Sequence, residues 1–440
     1  MKQNCRIWIG ALVAFLLLAG CARGTAPASP EPSPSESPGA SASPSATAPP
    51  TASGQPGGTA SASPSPPADE DPVAARIAGM SLDQKIGQLI IAGFEGKKLD
   101  DETKRMIRED RIGGVILYAD NVSDVHGTVR LVNQLKAANA GNPVPLFIST
   151  DQEGGRVSRL PDAFAAMPSS RAAGRKGDPK LARQMGSLLA RELRATGFNM
   201  NFAPVLDIDS NPDNPVIGDR SFGRSAKIVA ELGLAEMDGI SKGGVISVVK
   251  HFPGHGDTSV DSHLDLPVLR KSSEQLAALE WIPFQAAVKA GADAVMVAHI
   301  LFPRIDPNAP ASLSDIIVGK QLRGQMNYDG VVMTDDLTMG AITKQYGLAE
   351  AAVAAIDAGS DIVLVAHGYD NERQVFEALR SAVRDGRLTE ARIDESVRRI
   401  LTLKNKYRLT DAEIPLPNAA EIAAINKSIE KWLSALDAKA

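Results

Sequence analysis

One segment holds most of the reactive side chains of this chain: Lys250-His251-Phe252-Pro253-Gly254-His255-Gly256-Asp257-Thr258-Ser259-Val260-Asp261-Ser262-His263, with three of the six histidines. Imidazoles bind metal ions or move protons, and the spacing bears on which. His251 and His255 have the H-x-x-x-H spacing that puts two rings on one face of a helix. Pro253, Gly254 and Gly256 argue against a helix here, because proline removes a donor and glycine destabilises the turn. Thiolate ligands are not at hand, since Cys5 and Cys21 are the only cysteines and both precede residue 25. The expected site therefore uses neither metal nor cofactor. Acid/base chemistry fits better. Asp261 and His263 are two apart in a glycine-interrupted loop, so both side chains can lie on one side of a locally extended backbone. A carboxylate that accepts one ring N–H fixes the tautomer and favours the imidazolium, leaving the other nitrogen to give or take a proton.

Such a loop needs a frame. Eight short apolar, β-branched runs recur along the chain, near Leu89–Gly93, Gly114–Tyr118, Pro145–Ser149, Met200–Leu206, Val245–Val249, Ala294–Ala298, Val331–Met333 and Ile362–Val365. Amphipathic patterns such as Asp178–Thr196, Ser225–Ser241 and Ser272–Ala290 lie between them, the last opening on a capping box at Ser272 and Gln275. Continuous rather than alternating hydrophobicity predicts strands covered on both faces, hence a parallel sheet in an α/β protein. The two candidates are a TIM-type (β/α)8 barrel and an open doubly wound sheet. Polar residues decide between them. Asp151 follows the third run, Asp207 the fourth, Lys250 and His251 the fifth, His299 the sixth, Asp335 the seventh and His367 the eighth. A barrel gathers all these positions on one rim, where barrel enzymes place their sites, so the barrel is expected.

The 250–263 segment resembles the K-H-F-P-G-H-G-x4-D-x-H pattern of bacterial family 3 glycoside hydrolases that act as β-N-acetylglucosaminidases in peptidoglycan recycling. The resemblance continues through Asp151-Gln152-Glu153-Gly154-Gly155-Arg156-Val157-Ser158-Arg159, Val216-Ile217-Gly218-Asp219-Arg220-Ser221-Phe222 and Thr334-Asp335-Asp336-Leu337-Thr338-Met339, in the family's order, over residues 75 to 405. It implies that Asp335 is the nucleophile of a retaining reaction, His263 the general acid/base and Asp261 its orienting partner. It also implies that Asp151, Arg159, Arg220, Lys250 and His251 bind the sugar. A retaining glycosidase needs a nucleophile and a proton donor flanking the glycosidic bond, and an imidazole can both donate and recover a proton near neutral pH. Some hexosaminidases instead use the substrate's acetamide as nucleophile with an acidic pair assisting. Consecutive residues leaving a strand point in opposite directions, so Asp335 is assigned to catalysis and Asp336 to support. Glu153 is expected in an ion pair with Arg156 or Arg159, and His255 and Asp257 as loop-shaping groups. Relatives with a second α/β domain exist; here about 75 residues follow the eighth run and read as helices (Glu372–Arg384, Glu390–Lys406, Ala419–Ala438). The site must then be completed within the barrel.

Composition bounds the rest. The 440 residues are 43% hydrophobic and 22% charged with a net charge of -5, which excludes wholesale disorder and a polytopic membrane protein. A mild acid excess and 4% aromatics set nucleic acid aside as a partner. Lys2, Arg6 and the apolar run Ile7–Leu18 read as an export signal over residues 1–20, too short for a membrane helix. Leu18-Ala19-Gly20-Cys21 resembles a lipobox, which makes Cys21 the lipidation site and residues 21–72, rich in Ser, Pro and Ala, a disordered tether. Residues 73–440 form the single catalytic domain. The expected protein is exported and held at the outer face of the cytoplasmic membrane by its lipid alone, removing terminal GlcNAc from peptidoglycan fragments such as GlcNAc-MurNAc and muropeptides. A β-glucosidase, a GlcNAc phosphorylase and a non-catalytic wall-binding lipoprotein are the rival readings.

Overall fold

The computed structural model describes residues 71–438; Cys21 and the expected signal and tether, up to residue 70, lie outside the described residues. The described chain starts in a helix, Pro72–Ala78, with Pro72 in its first turn and Asp71 accepting from the Val73 N–H as its cap. Proline suits a first turn because its missing N–H has no intrahelical partner there in any case.

Eight parallel strands close into a barrel: β1 (Ile90–Gly93), β2 (Gly114–Ile116), β3 (Phe147–Thr150), β4 (Met200–Asn201), β5 (Ile246–Phe252), β6 (Ala294–Val297), β7 (Val331–Asp336) and β8 (Ile362–Val365). Each pairs with its neighbour in sequence, and Ile90 and Ile91 of β1 face Val363 and Leu364 of β8 to complete the ring. All residues of β1, β2, β3 and β8 are buried, which is why these runs are apolar without alternation. The open sheet is thereby excluded, and the (β/α)8 TIM-type barrel stands.

The helices follow the amphipathic patterns. Pro179–Thr196 and Ala226–Lys242 begin one residue after Asp178 and Ser225, their N-cap positions. The expected helix 272–290 is two pieces, Ser273–Ala277 and Trp281–Lys289. Pro283 explains the break: it has no N–H to continue the first piece, and it sits in the first turn of the second. The Ser272–Gln275 capping box is present. A short antiparallel pair, Leu301–Phe302 with Asp306–Pro310, follows β6 and carries no apolar pattern that would announce it.

The helix Glu390–Lys406 closes the end of the barrel from which the strands start. Its Lys404 donates to Gln88 Oε1 and the Gly113 carbonyl, both at 2.8 Å, just ahead of β1 and β2. Arg399 reaches Asp361 ahead of β8, and Lys406 reaches Asp293 ahead of β6. Chemistry is left to the other end.

Two irregularities shape that end. Between Val249 and Phe252, β5 gains one residue on β6; between Met333 and Asp336, β7 gains one on β8. Such bulges re-aim side chains next to sites. The strands also run further than their apolar cores. Lys250 and His251 belong to β5, and Asp335 is the penultimate residue of β7. The fourth strand is shorter than its apolar run, because Pro204 cannot donate to a ladder; only an isolated bridge, Val205 to Lys250, continues it.

Candidate active site

The strand ends enclose a cavity of about 190 Å³ whose lining includes Asp151, Arg159, Arg220, Lys250, His251, His263 and Asp335. All the expected site residues but one thus share a single wall; Asp261 stands beside His263, with its Oδ1 2.8 Å from the ring Nδ1. A groove of about 490 Å³ opens at the other end of the barrel, but its charges neutralise each other, Arg399 against Asp329 and Lys406 against Asp293. What sets the smaller cavity apart is Asp335, whose carboxylate accepts only from the Asp336 N–H among the described residues.

Its base is a buried charge cluster. Glu153 accepts from Arg220 Nε and Nη2 at 2.8 and 2.7 Å, a two-pronged pair, and lies 2.6 Å from Lys250 Nζ. Lys250 also donates to Asp151 at 2.5 Å. Burial alone would raise the Glu153 pKa; the adjacent Arg220 and Lys250 charges overcome it and hold the carboxyl far below the usual range. Asp151 and Glu153 likewise hold the Lys250 ammonium above its ordinary value against burial. The expected pairing of Glu153 with Arg156 or Arg159 is corrected. Arg156 turns outward to Asp219, 3.4 Å away, and to the Val216 and Ile217 carbonyls. Only the fold brings Arg220 and Lys250 within reach of Glu153. The Arg159 Nε, by contrast, is buried with no hydrogen-bond partner among the described residues.

His251 is set by Asp207, whose Oδ2 lies 2.6 Å from its Nδ1. The same carboxylate accepts from the His255 N–H at 2.6 Å. Burial opposes the Asp207 charge, and the two histidines more than compensate, holding its pKa down. The ring Nδ1–H therefore points at Asp207 and the Nε2 faces the cavity, 3.5 Å from Arg220. Asp207 was visible as a strand-end carboxylate, but its sequence neighbours offered no hint of this role.

Asp335 is half-buried at the end of β7. Enclosure raises its pKa, while His251, His299, the Asp336 N–H at 2.9 Å and Lys250 lower it, and the sum keeps the carboxyl below its usual range. It is an anion at neutral pH. Asp336 also lines the cavity, against the alternation expected for consecutive strand residues. The β7 bulge is the reason, since strict alternation requires a regular ladder. Its carboxylate is nevertheless engaged, accepting from Thr338 N and Oγ1 and from Ala366 N at 2.9, 2.6 and 2.9 Å. His299 is buried between Ser312 and the Asp336 carbonyl, a structural position. His367 stands exposed at the mouth, stacked on Tyr118 with ring centroids 5.4 Å apart.

The Asp261–His263 pair forms by a turn and not by an extended backbone. The Leu264 and Asp265 N–H groups donate to the Asp261 carbonyl, and the His263 N–H donates to the Asp261 carboxylate at 2.9 Å. Donation from the His263 backbone and ring outweighs partial burial and holds the Asp261 carboxyl below its ordinary pKa. Asp257, expected to shape the loop, pairs with Lys271 at 2.8 Å, which also holds Glu280. Among the described residues, no group of three His, Cys, Asp or Glu side chains is arranged to hold a metal ion.

Residues 81–403 match the glycosyl hydrolase family 3 N-terminal domain. The chain belongs to glycosyl hydrolase family 3. Among its relatives, beta-hexosaminidase A of Pseudoalteromonas piscicida is 33% identical over 380 residues, 77% of this chain and 64% of that protein. The chain thus spans less than two thirds of that relative's length. The beta-hexosaminidase of Thiobacillus denitrificans is 40% identical over 276 residues, 61% of this chain and 76% of that protein. A solved family 3 β-N-acetylglucosaminidase from a Paenibacillus species is 44% identical with a TM-score of 0.76, covering 80% of this chain and 68% of that one.

Proposed function

We propose that this glycoside hydrolase is a retaining exo-β-N-acetylglucosaminidase that releases terminal non-reducing GlcNAc from peptidoglycan fragments. In the first step a carboxylate oxygen of Asp335 bonds to the anomeric carbon as the glycosidic C–O bond breaks. His263 gives its proton to the departing oxygen. In the second, His263 takes a proton from water, whose oxygen displaces Asp335 and leaves the product with the β configuration. Asp261 orients His263 by accepting from its backbone and ring N–H groups. Asp151, Arg159, Arg220, Lys250 and His251 hold the sugar, since charged donors and acceptors make the stronger hydrogen bonds to hydroxyls.

The observation that carries this reading is the meeting of an anionic Asp335 and a carboxylate-paired histidine on one cavity. A volume of about 190 Å³ lies below the roughly 300–1,000 Å³ of common ligand pockets and suits one sugar unit, hence exo action. The engagement of the Asp336 carboxylate by Thr338 and Ala366 argues against an acidic pair assisting the acetamide. The β-hexosaminidase relatives support the GlcNAc specificity. Peptidoglycan fragments as substrate rest on the family resemblance and the inferred location, and export with anchoring through Cys21 rests on the lipobox-like N-terminus.

The test is hydrolysis of an aryl β-GlcNAc, with the first-formed anomer followed by NMR, with and without EDTA and inorganic phosphate. β-GlcNAc appearing first, unaffected by EDTA, is the expected result. α-GlcNAc first would overturn retention. A sugar phosphate in place of free sugar would make the protein a phosphorylase. Binding of GlcNAc sugars without turnover would make it a wall-binding protein.

A further inference from the structure

The loop that carries His263 is tied down at one buried point. His255 is 1% exposed, and its ring lies between two hydroxyls, with Nδ1 2.8 Å from Thr258 Oγ1 and Nε2 3.1 Å from Ser262 Oγ. The hydrogen bonds fix the tautomer. The Thr258 hydroxyl gives its proton to the His255 carbonyl at 3.0 Å and accepts from Asn214 Nδ2 at 3.2 Å. It can then only accept from the ring, so Nδ1 carries the proton and Nε2 presents a lone pair. Ser262 must be the donor to Nε2. The neutral ring is consistent with this, because burial and the neighbouring His251 push the His255 pKa down to about 4.

Ser262 sits between Asp261 and His263, and the backbone of this turn is docked on the segment after Asp335. The Ser262 carbonyl accepts from the Ala341 N–H at 3.1 Å, and the His263 carbonyl from the Gly340 N–H at 3.2 Å. A Cβ at Gly340 would lie 2.7 Å from the His263 carbonyl oxygen, so only glycine permits this approach. The other face of His255 meets His251 edge-on, ring centroids 5.7 Å apart.

We propose that His255 and Ser262 are positioning residues for the acid/base, the Ser262 hydroxyl bonding to the buried imidazole and so holding the Asp261–His263 turn at the cavity mouth. Their effect is exerted through His263, and the inference rests on His263 being the proton donor. A loop released at this point leaves the sugar-binding cluster in place but delivers the proton less often.

The measurement is kcat/KM, which reports the glycosylation step, for two substrates: a GlcNAc disaccharide, whose alkoxide leaving group needs a proton, and 2,4-dinitrophenyl β-GlcNAc, whose leaving group does not. The full chain is compared with its Ser262→Ala, Ser262→Thr and His263→Ala variants. Ser262→Ala should lose about tenfold on the disaccharide, a part of the ~10²–10⁴ that general acid catalysis supplies, and less than about twofold on the aryl glycoside. Ser262→Thr, which keeps the hydroxyl, should restore the disaccharide rate. Equal losses on both substrates, or no loss, would overturn the proposal while leaving His263 in place if His263→Ala still discriminates between them. Failure of His263→Ala to discriminate would overturn the acid role and this inference with it.

Discussion

Lys250 Nζ lies 2.6 Å from Glu153 Oε1, and the two side chains are 2% and 3% exposed. Neither charge could be held there alone. Glu153 bridges Lys250 and Arg220, and Asp151 supplies the second negative charge at Lys250. Glu153→Gln removes that charge and leaves two buried cations with Asp151 as the nearby anion. Breaking a buried pair costs about 3–5 kcal/mol, so the variant should be destabilised on that scale and lose most of its kcat/KM. Chemical denaturation checks the first and initial rates the second; wild-type stability would show that the cluster is more solvated than the structure implies.

Asp335→Ala tests the nucleophile. Loss of a central reacting group lowers kcat by about 10⁴-fold or more, and the circular dichroism melt should be little changed. Azide entering the vacated space should attack the anomeric carbon of 2,4-dinitrophenyl β-GlcNAc in one displacement, giving the α-glycosyl azide. A β-azide, or near wild-type hydrolysis, would assign the nucleophile elsewhere.

Asp261→Asn bears on the acid/base. The Asp261 carboxyl is held below its ordinary pKa, so it stays anionic beside His263 through the working range. Asparagine keeps an acceptor for the His263 N–H groups but removes the charge, so the pair loses its charge-assisted hydrogen bond. On a GlcNAc disaccharide kcat/KM should fall by about tenfold, and on 2,4-dinitrophenyl β-GlcNAc by less than about twofold, because only the first leaving group needs a proton. Equal losses on both substrates would reduce Asp261 to a purely structural role in the turn.

The barrel was legible because each buried strand needs a continuous apolar run and each helix a stripe and a cap. Asp151, Lys250, His251 and Asp335 were legible for the same reason, since a barrel gathers its strand ends, whereas Arg159, Arg220 and His263 came with the family resemblance. What escaped is what depends on an irregular ladder or on distant partners. The bulge in β7 brings Asp336 to the same wall as Asp335, where alternation had turned it away. Arg220, 67 residues from Glu153, was beyond any local pairing rule, so the nearer Arg156 and Arg159 stood in for it. The turn at Asp261 was misread as extended because its closure is made by backbone N–H groups that any sequence possesses.

Two carboxyls behind the site make stability fall with pH. Glu192 on Pro179–Thr196 and Glu236 on Ala226–Lys242 are each 1% exposed, with one oxygen unpartnered among the described residues. Burial raises both to about 8, with Glu153 adding to the effect on Glu236 and Gln152 opposing it on Glu192. Between the unfolded value near 4.5 and about 8, the folded protein holds a proton that the unfolded chain has released. Stability from this source is therefore full below about pH 4.5, declines as pH rises through 8, and changes no further above it. Glu236→Gln keeps the shape and removes the proton, so it should gain on the wild type by about 4 kcal/mol at pH 8, with the advantage shrinking toward pH 5. Urea unfolding at the two pH values measures the difference directly. A pH-independent difference would mean that Glu236 is ionised in the folded protein and finds a partner, such as a trapped water, in the space beside its free oxygen.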